Sequence, residues 1–324
     1  MSTIQPRTRI RLLSFALLLI SVMALALAVN LVFTRSNASA APAITIRVNT
    51  TADNNISDNF ISLREAILLV NGGTGGDGFR TGLGRSRTAN ETSLISGGTI
   101  TTVGVAANII FTDLPGLPTI ALSTGTGSAN ESLPPIFTSG VVINGISGGG
   151  GRVKIDGSGA GVPADSDIFW LGWATTTLDA IPVSNITLQS ISISGAKRYG
   201  IHLNPARNSR ITQCDVTQST SYAIFIQGKF GAADGNIVEN CTVGNNQSLG
   251  VVINRPGAFN NIIRNNRIGT DAAGVNPAPN TGAGIALFTG AFGNVITGNL
   301  ISGNTLQGIY FDGIAASVTD NVVQ

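Results

Sequence analysis

The sequence predicts an all-β protein, namely a right-handed parallel β-helix with three strands per rung and a short capping helix at its amino-terminal end. Two observations lead to this prediction. A short motif returns at a nearly constant distance from a second recurring column of residues. The composition, with 41 glycines and only 11% charged residues, is typical of many short strands joined by tight turns.

The recurring motif reads small, aliphatic, any and apolar. It begins at five positions, which are Gly200, Ala223, Gly250, Gly284 and Gly308. The second column consists of Ile191, Cys214, Cys241, Asn266, Asn299 and Asn321. From this column to the aliphatic residue of the motif the distance is ten residues in four of five turns and 19 in the turn of Asn266. Repeats of this length indicate a solenoid, here with nine residues inserted in one turn.

Strand geometry gives each residue of a rung a direction. Because neighbouring side chains alternate, Ile201 and Leu203 are predicted to face the core and His202 to lie on the surface. Rungs about 4.8 Å apart then bury the inward residues in one continuous core. Asparagines at one corner can hydrogen-bond amide to amide along the coil and fix its register. The residues predicted to form such a stack are Asn266, Asn299 and Asn321.

Residues 1–40 are predicted to be a signal peptide. Arg7, Arg9 and Arg11 precede a 22-residue apolar run, and Ala38-Ser39-Ala40 offers the small residues that a signal peptidase reads. The run is also long enough to span a bilayer, so an uncleaved anchor is the alternative and the one predicted contact with a membrane. Because the arginines stay on the cytoplasmic side, the remainder is predicted to be secreted or held at the cell surface.

Three further regions follow. Residues 41–105 are predicted to contain a first strand, a helix capped by Ser62 and Glu65, and a long exposed loop rich in Gly, Ser and Thr from residue 72 to about residue 103. Residues 106–183 are predicted to form irregular early rungs and residues 184–324 regular ones. A carboxyl-terminal cap is not recognisable, so the chain is predicted either to be a fragment or to stack end to end on a partner.

The charge balance argues against nucleic acid as a partner. Four of the 19 basic residues and none of the 17 acidic residues lie in residues 1–40. The remainder therefore carries 15 basic against 17 acidic side chains, and it lacks the overall basic field that nucleic acid binding uses.

Basic residues are nevertheless concentrated between residues 197 and 267. Arg207, Lys229 and Arg255 follow the inward strand by six, five and four residues, so they are predicted to form a vertical column at one corner. Such a column suits an acidic polysaccharide, although charged side chains also serve solubility alone. The predicted glycan-binding residues are Arg207, Lys229, Arg255, Arg264 and Arg267.

Neither a cofactor nor a metal is predicted. Cys214 and Cys241 share a column on adjacent rungs, and two buried thiols are favoured over a disulfide because parallel Cβ vectors would strain the bond. One histidine and two separate cysteines do not supply a zinc or copper set. Residues 53–58 resemble the start of a calcium loop. The sixth position is not glycine and Arg64 stands where a bidentate glutamate is required, so calcium is only an alternative.

The start of the capping helix resembles the CSLREA motif of secreted proteins that carry a pectin-lyase-like β-helix. The segment reads Ile61-Ser62-Leu63-Arg64-Glu65-Ala66, and Ile61 stands where that motif has its cysteine. The resemblance covers residues 44–324 and implies a secreted or cell-surface β-helix, often one module of a larger adhesin-like protein. The same superfamily contains polysaccharide lyases and hydrolases, so the resemblance leaves the activity open.

Catalytic residues are not predicted. Polysaccharide hydrolysis needs converging carboxylates, whereas Asp215, Asp234, Asp271 and Asp312 fall in different columns. We therefore predict a non-catalytic, adhesin-like or scaffold module that binds acidic polysaccharide. The alternative is a polysaccharide lyase, which an outward cluster of Arg, Lys and Asp on the loop of residues 269–283 would favour.

Overall fold

The computed structural model describes residues 44–72, 83–100, 104–123, 131–174, 176–313 and 317–324. The predicted signal segment, residues 1–40, lies outside the described residues. The described part contains two helices, α1 (Leu63–Asn71) and α2 (Ala89–Ser93). Neither of them has the length and apolar character that a membrane crossing requires.

Short strands make up most of the remaining regular structure. They are β1 (Ile44–Arg47), β2 (Ile95–Ser96), β3 (Ala107–Phe111), β4 (Thr119–Ala121), β5 (Val142–Ser147), β6 (Val153–Asp156), β7 (Phe169–Leu171), β8 (Val183–Ser184), β9 (Thr187–Gln189), β10 (Ile191–Ser194), β11 (Ile201–Leu203), β12 (Ala206–Arg207), β13 (Arg210–Thr212), β14 (Asp215–Thr217), β15 (Ile224–Gln227), β16 (Ile237–Glu239), β17 (Thr242–Gly244), β18 (Val251–Asn254), β19 (Ile262–Arg264), β20 (Arg267–Ile268), β21 (Ile285–Phe288), β22 (Val295–Thr297), β23 (Leu300–Ile301), β24 (Ile309–Asp312) and β25 (Val322–Val323).

The strands stack into three long sheets, which we name A, B and C. Sheet A has ten strands in the order β2-β1-β3-β5-β9-β13-β16-β19-β22-β25. Sheet B has seven in the order β23-β20-β17-β14-β10-β6-β4, and sheet C has six in the order β24-β21-β18-β15-β11-β7. Neighbouring strands are parallel, except that β1 pairs with β2 in antiparallel fashion. From β9 onward the chain visits sheets A, B and C in turn, so each rung is a parallel coil of three strands, with β12 pairing separately with β8.

The inward side chains form one continuous core. In sheet A a single row of aliphatic residues is buried in register from rung to rung, namely Ile109, Ile143, Leu188, Ile211, Val238, Ile263 and Ile296. In sheet C, Ile201 and Leu203 are fully buried, as their alternation predicts. Each such side chain contributes about 1.5–3 kcal/mol when it leaves water.

Side-chain amides form a ladder at each of the three corners of the coil. Between sheets A and B, Asn266 donates from Nδ2 to Oδ1 of Asn299 at 2.9 Å, and Oδ1 of Asn266 accepts the backbone amide of Cys241. The ladder between sheets C and A consists of Ser209, Asn236, Asn261, Asn294 and Asn321. The ladder between sheets B and C consists of Ser219, Asn246, Asn280 and Asn304.

The predicted stack of Asn266, Asn299 and Asn321 is therefore wrong in its last member. Asn321 accepts from Nδ2 of Asn294 at 2.9 Å and belongs to the ladder between sheets C and A. The cause is the register of the last strand, in which Val323 pairs with Ile296. Asn321 therefore directly precedes a strand of sheet A, whereas Asn266 and Asn299 follow one.

The nine-residue insertion occupies residues 270–278. Before the insertion, Gly269 stacks on Gly244, and its amide donates to the Val243 carbonyl. At the end of the insertion, the Ala278 carbonyl accepts the Asn245 amide. Asn280 then takes the corner position above Asn246. The extra residues therefore leave the coil as a small loop and return to it without changing the register.

Helix α1 packs into the same core as the first strands. The Ser62 hydroxyl accepts the Glu65 amide at 3.1 Å and the Glu65 carboxylate accepts the Ser62 amide at 2.8 Å, which together form a capping box. Gly72 ends the helix with a φ of 58°. Arg64 pairs with Asp53 through two bonds of 2.8 Å and also donates to the Ser132 carbonyl, so it connects the preceding loop to the early rungs.

Part of the predicted exposed loop between residues 72 and 103 is ordered structure. Residues 83–100 contain α2 and β2, which pairs with β1. Thr88 and Glu91 form a second capping box, and Arg85 bridges the buried carboxylates of Glu91 and Glu65 at 2.7 and 2.5 Å. The loop prediction was wrong here because the high content of small polar residues concealed this Thr-x-x-Glu signal.

The last strands of the three sheets carry apolar side chains that are partly open to solvent. Leu300, Phe311, Val322 and Val323 are between 41% and 50% exposed. End-to-end stacking at this layer stays a prediction.

Candidate ligand-binding face

Aromatic side chains gather on the outer face of sheet C. The middle residue of each strand in this sheet points away from the core, and the strands are in register, so these residues form one row: Trp170, His202, Phe225, Val252, Ala286 and Tyr310. The half of this row nearest β7 carries rings. We call the rings of Trp170, Trp173, Tyr199, His202, Tyr222 and Phe225 the aromatic face.

The inner layer of the aromatic face is buried. His202 lies between Trp170 and Phe225, with ring centroids 4.7 and 5.1 Å away. It stacks on Phe225, and the two ring planes are nearly parallel, with an angle of 12° between them. These separations match the spacing of about 4.8 Å between strands, so the stack follows directly from the parallel register. Trp173 packs on Trp170 at 4.5 Å.

The outer layer consists of two half-exposed tyrosines. Tyr199 and Tyr222 stack at 5.2 Å with an angle of 17° between their planes, and both meet Phe225 edge to face. Each precedes by two residues the first residue of its strand, Ile201 or Ile224, and this equal offset aligns them. Burial raises the pKa of Tyr199 to about 12 and also raises that of Tyr222, so both phenols are neutral at physiological pH.

A charged group closes one end of the aromatic face, and we call Asp167, Arg198 and His202 the polar centre. Asp167 is fully buried and receives Nε and an Nη of Arg198 at 2.8 and 2.7 Å. Burial alone would lower the pKa of Arg198, but the bonds to Asp167 outweigh it and raise that pKa. The guanidinium also lies over the Tyr199 ring, 4.8 Å from its centroid, which is a cation–π distance.

His202 is not on the surface, and the prediction of a surface histidine is wrong. The imidazole is 3% exposed, and its Nδ1 lies 2.9 Å from Oδ2 of Asp167. It does point away from the core, but Trp170, Phe225 and Tyr199 cover it. Its Nε2 is buried without a hydrogen-bond partner among the described residues.

An amide row runs beside the aromatic face on the same side of sheet C. It consists of Asn204, Gln227 and Asn254, which occupy equivalent positions on three successive rungs. Asn204 donates from Nδ2 to Oε1 of Gln227 at 2.9 Å, and its carbonyl accepts the Trp170 indole N–H at 2.9 Å. Within the described residues, Oδ1 of Asn204 and Oδ1 of Asn254 are buried and accept no hydrogen bond.

Arg207, Lys229 and Arg255 do not form the vertical basic column that was predicted. Arg207 has Asp234, not Lys229, as its neighbour on the next rung, and its guanidinium pairs with that carboxylate at 2.5 and 3.2 Å. The reason is the register, since Arg207 belongs to β12 whereas Lys229 and Arg255 lie in the turns after β15 and β18. Arg264 likewise pairs with the buried Glu239, at 2.6 Å.

Three of the five predicted glycan-binding residues make no ion pair with the described part of the chain. Lys229 lies 4.4 Å from the centroid of the Phe230 ring, and Arg255 and Arg267 are exposed. Lys229 and Arg255 are on adjacent rungs next to the amide row, while Arg267 is on sheet B. Binding of glycan by these residues stays a prediction.

The two cysteines and the acidic residues of the calcium-like loop make local contacts within the protein. Cys214 and Cys241 are free and buried, and burial raises the pKa of Cys241. The carboxylate of Asp53 is taken by Arg64, and Oδ1 of Asp58 accepts the Phe60 amide. Among the described residues, no three His, Cys, Asp or Glu side chains come together as a metal site.

Comparison with models of protein families matches residues 139–324 to the right-handed β-helix region. Because this match spans more than half of the chain, the chain belongs to the right-handed β-helix family. The predicted fold class is thereby confirmed, including its handedness. Comparisons with curated proteins and with solved structures found no match.

Proposed function

We propose that the chain is a non-catalytic module, secreted or held at the cell surface, whose aromatic face binds polysaccharide. The observation that supports this most directly is the half-exposed stack of Tyr199 and Tyr222 over the buried Phe225. Sugar rings present apolar C–H faces that pack on aromatic rings, while their hydroxyls need polar partners close by. The amide row supplies such partners.

The arrangement suits a polymer better than a single sugar. The outward row runs along the axis from Trp170 to Tyr310 over six rungs, about 24 Å at the usual strand spacing. Partly exposed side chains pack along it, namely Tyr199, Tyr222, Leu249, Phe288 and Tyr310. The two stacked tyrosines are held by each other and by Phe225, so little side-chain freedom is lost on binding. A rigid surface of this kind fits an extended chain of several sugar units.

The predicted preference for acidic polysaccharide has less support than the binding itself. Arg207 and Arg264 are neutralised by Asp234 and Glu239. Lys229 and Arg255 remain beside the amide row, so a ligand with carboxylates would meet them at the edge of the face.

The lyase alternative depends on a basic and acidic cluster in the insertion. Asp271 there accepts the Val275 amide at 2.9 Å and Nδ2 of Asn276 at 2.7 Å, so its carboxylate is engaged within its own loop. Elimination would require a free base next to a cation, and the described residues of this loop do not provide that pair. These contacts favour binding over elimination.

Retention on insoluble polysaccharides tests the proposal. The full chain is expected to be held back by at least one polysaccharide, and Tyr222→Ala is expected to weaken retention because it removes half of the stack. Phe259→Ala is the matched control. Phe259 stacks on Phe292, with ring centroids 5.1 Å apart, and it is not part of the aromatic face. Equal loss in both variants, or no retention of the parent chain, would refute the proposal. Release of unsaturated products would establish the lyase instead.

A further inference from the structure

Three buried polar atoms beside the aromatic face have no hydrogen-bond partner among the described residues, and their ability to donate or accept decides which ligand suits them. These atoms are Nε2 of His202, Oδ1 of Asn204 and Oδ1 of Asn254. The two amide oxygens are hydrogen-bond acceptors. The character of the imidazole nitrogen depends on which ring nitrogen carries the proton.

Asp167 decides the tautomer of His202. Its carboxylate accepts two bonds from Arg198, and Oδ2 lies 2.9 Å from Nδ1 of the imidazole, so Nδ1 is the nitrogen that donates to it. In the neutral ring the proton then resides on Nδ1, and Nε2 carries a lone pair. All three unpartnered atoms are consequently acceptors.

The charges of Arg198 and Asp167 offset one another. The two side chains form a bidentate pair at 2.7 and 2.8 Å. Relative to a neutral hexose unit, a uronate unit has a carboxylate in place of the donating hydroxymethyl group, and this carboxylate, which only accepts, would meet further acceptors here. Sugar hydroxyls, in contrast, donate, and each one that reaches such an atom removes the cost of a buried unsatisfied group.

We propose, as an extension of the proposed function, that this site selects a neutral, hydroxyl-rich polysaccharide, with Nε2 of His202 and the amide oxygens of Asn204 and Asn254 accepting sugar hydroxyls. The site lies between the aromatic face and the amide row, so a sugar unit stacked on a ring can donate to His202 and Asn204. Asn254 lies two rungs further on, about 9.6 Å away, where the next sugar unit of the polymer can donate to it. Binding includes a side-chain movement, because the three atoms are covered in the free chain. Tyr199 is the half-exposed ring in edge contact with His202, at 5.2 Å.

The single histidine of the chain makes a direct test possible. The full chain is labelled with ¹⁵N-histidine, purified without a histidine tag, and titrated with soluble neutral glucan, mannan or galactan oligosaccharides and with oligogalacturonate. The expected result is an upfield shift of the Nε2 resonance with at least one neutral series and no shift with oligogalacturonate. The shift reports a hydrogen bond accepted at that atom.

Two substitutions complete the test. His202→Phe keeps the ring stack but removes the acceptor, and Asn254→Leu removes an amide of equal size on another rung. Each is expected to weaken retention on the neutral polysaccharide about three- to tenfold, the worth of one hydrogen bond. The double variant Lys229→Ser, Arg255→Ser is the control, and its retention on the neutral polymer is expected to be unchanged.

The outcomes separate the two proposals. If no polysaccharide is retained, the proposed function fails and this inference fails with it. If the chain binds polyuronate alone, or if neutral polymers bind without a shift of Nε2 and without loss in both single variants, the choice of ligand class is refuted while the binding module stands. Unfolding temperatures equal to that of the parent show that the variants fold.

Discussion

Asn236 and Asn261 occupy the same corner on adjacent rungs, and Nδ2 of Asn236 donates to Oδ1 of Asn261 at 3.0 Å. The same oxygen also accepts the backbone amide of Asn236 at 3.0 Å. Asn261 in turn donates to the Ala233 carbonyl and to Oδ1 of Asn294. One amide therefore satisfies polar groups on the rungs before and after its own, which makes the corner as well ordered as the sheets.

Replacing Asn261 by alanine is expected to cost about 2–4 kcal/mol in the free energy of unfolding, because a buried amide and a buried carbonyl lose their partners. Denaturant unfolding followed by circular dichroism measures the change. Asn90→Ala is the control, since Asn90 is an exposed residue of α2. A difference below about 0.5 kcal/mol between the two variants would contradict a stabilising role of the ladder.

Helix α1 gives a second prediction. Glu65→Ala removes the carboxylate that accepts the Ser62 amide, the Ile56 amide and Arg85, at 2.8, 3.1 and 2.5 Å. A loss of about 2–3 kcal/mol is expected, since a helix cap and a buried ion pair disappear together. Glu65→Gln is expected to lose less, because the amide oxygen still caps the helix. Equal losses would show that the capping bond contributes little, and urea unfolding of the three proteins distinguishes these cases.

The free energy of unfolding is expected to fall in acid. Burial alone would raise the pKa of Glu91, but the bonds from Arg85 and Thr88 outweigh it and hold this pKa below the ordinary value of 4.5. A carboxyl with a lowered pKa in the folded state stabilises fully above its ordinary pKa and loses that contribution as the pH falls through the folded pKa. We expect the free energy of unfolding to be constant between about pH 7 and pH 5.5 and to fall towards about pH 3. The variant Glu91→Gln should show a shallower fall, and identical slopes would contradict the assignment.

The thiols of Cys214 and Cys241 are expected to be unreactive in the folded protein. Cys214 and Cys241 are fully buried, and burial raises the pKa of Cys241, so neither presents a thiolate to solvent. A thiol reagent at pH 8 should label no cysteine in the native chain and both after unfolding in guanidinium chloride. Rapid labelling of the native protein, or fewer than two thiols in the unfolded one, would refute this.

The insertion can be removed in one specific way. Deleting residues 270–278 together with Pro279→Gly restores the spacing of Gly244 and Asn246, so Asn280 keeps its place above Asn246. The glycine is required because the equivalent corner residue, Asn245, has a φ of 56°, which proline cannot adopt. The free energy of unfolding is expected to change by no more than about 1 kcal/mol, because only loop closure is altered. Deleting residues 270–279 moves Asn280 out of register and is expected to be clearly worse. Similar stability of both deletions would show that the register at this corner is not fixed by the amide.

The coil was predictable because its signal is periodic. Motif and column stay at one offset, so the register of sheets A, B and C could be read from Ile191 to Ile309. Prediction stopped where the period changed. The last turn is 27 residues long, from Ile296 to its partner Val323, and not the 22 residues that separate Asn299 from Asn321, so Asn321 belongs to another corner than its spacing suggested.

The candidate site was less predictable, because it joins rungs of unequal length. Trp170 aligns with His202 across 32 residues, and Ile168 stands where later rungs have a small residue, so the motif does not appear there. Asp167 lies in the same irregular region, and its contact with Arg198 has no local signal. The pair of Tyr199 and Tyr222 could have been found, since each directly precedes the small residue of the motif.

The amide ladders have a consequence for how such a chain changes in evolution. Every asparagine in them except the last of each ladder donates forward to the next rung and accepts from the previous one, so each inner rung presents the same pattern of bonds on both sides. Duplication or loss of one whole inner rung therefore leaves every partner supplied, whereas a change of a few residues is tolerated only where, as at residues 270–278, it leaves the coil as a loop. Gene segments of one full turn are thus the natural unit of variation in this protein, and the length of sheet C and of its outward row can be adjusted without redesigning the core.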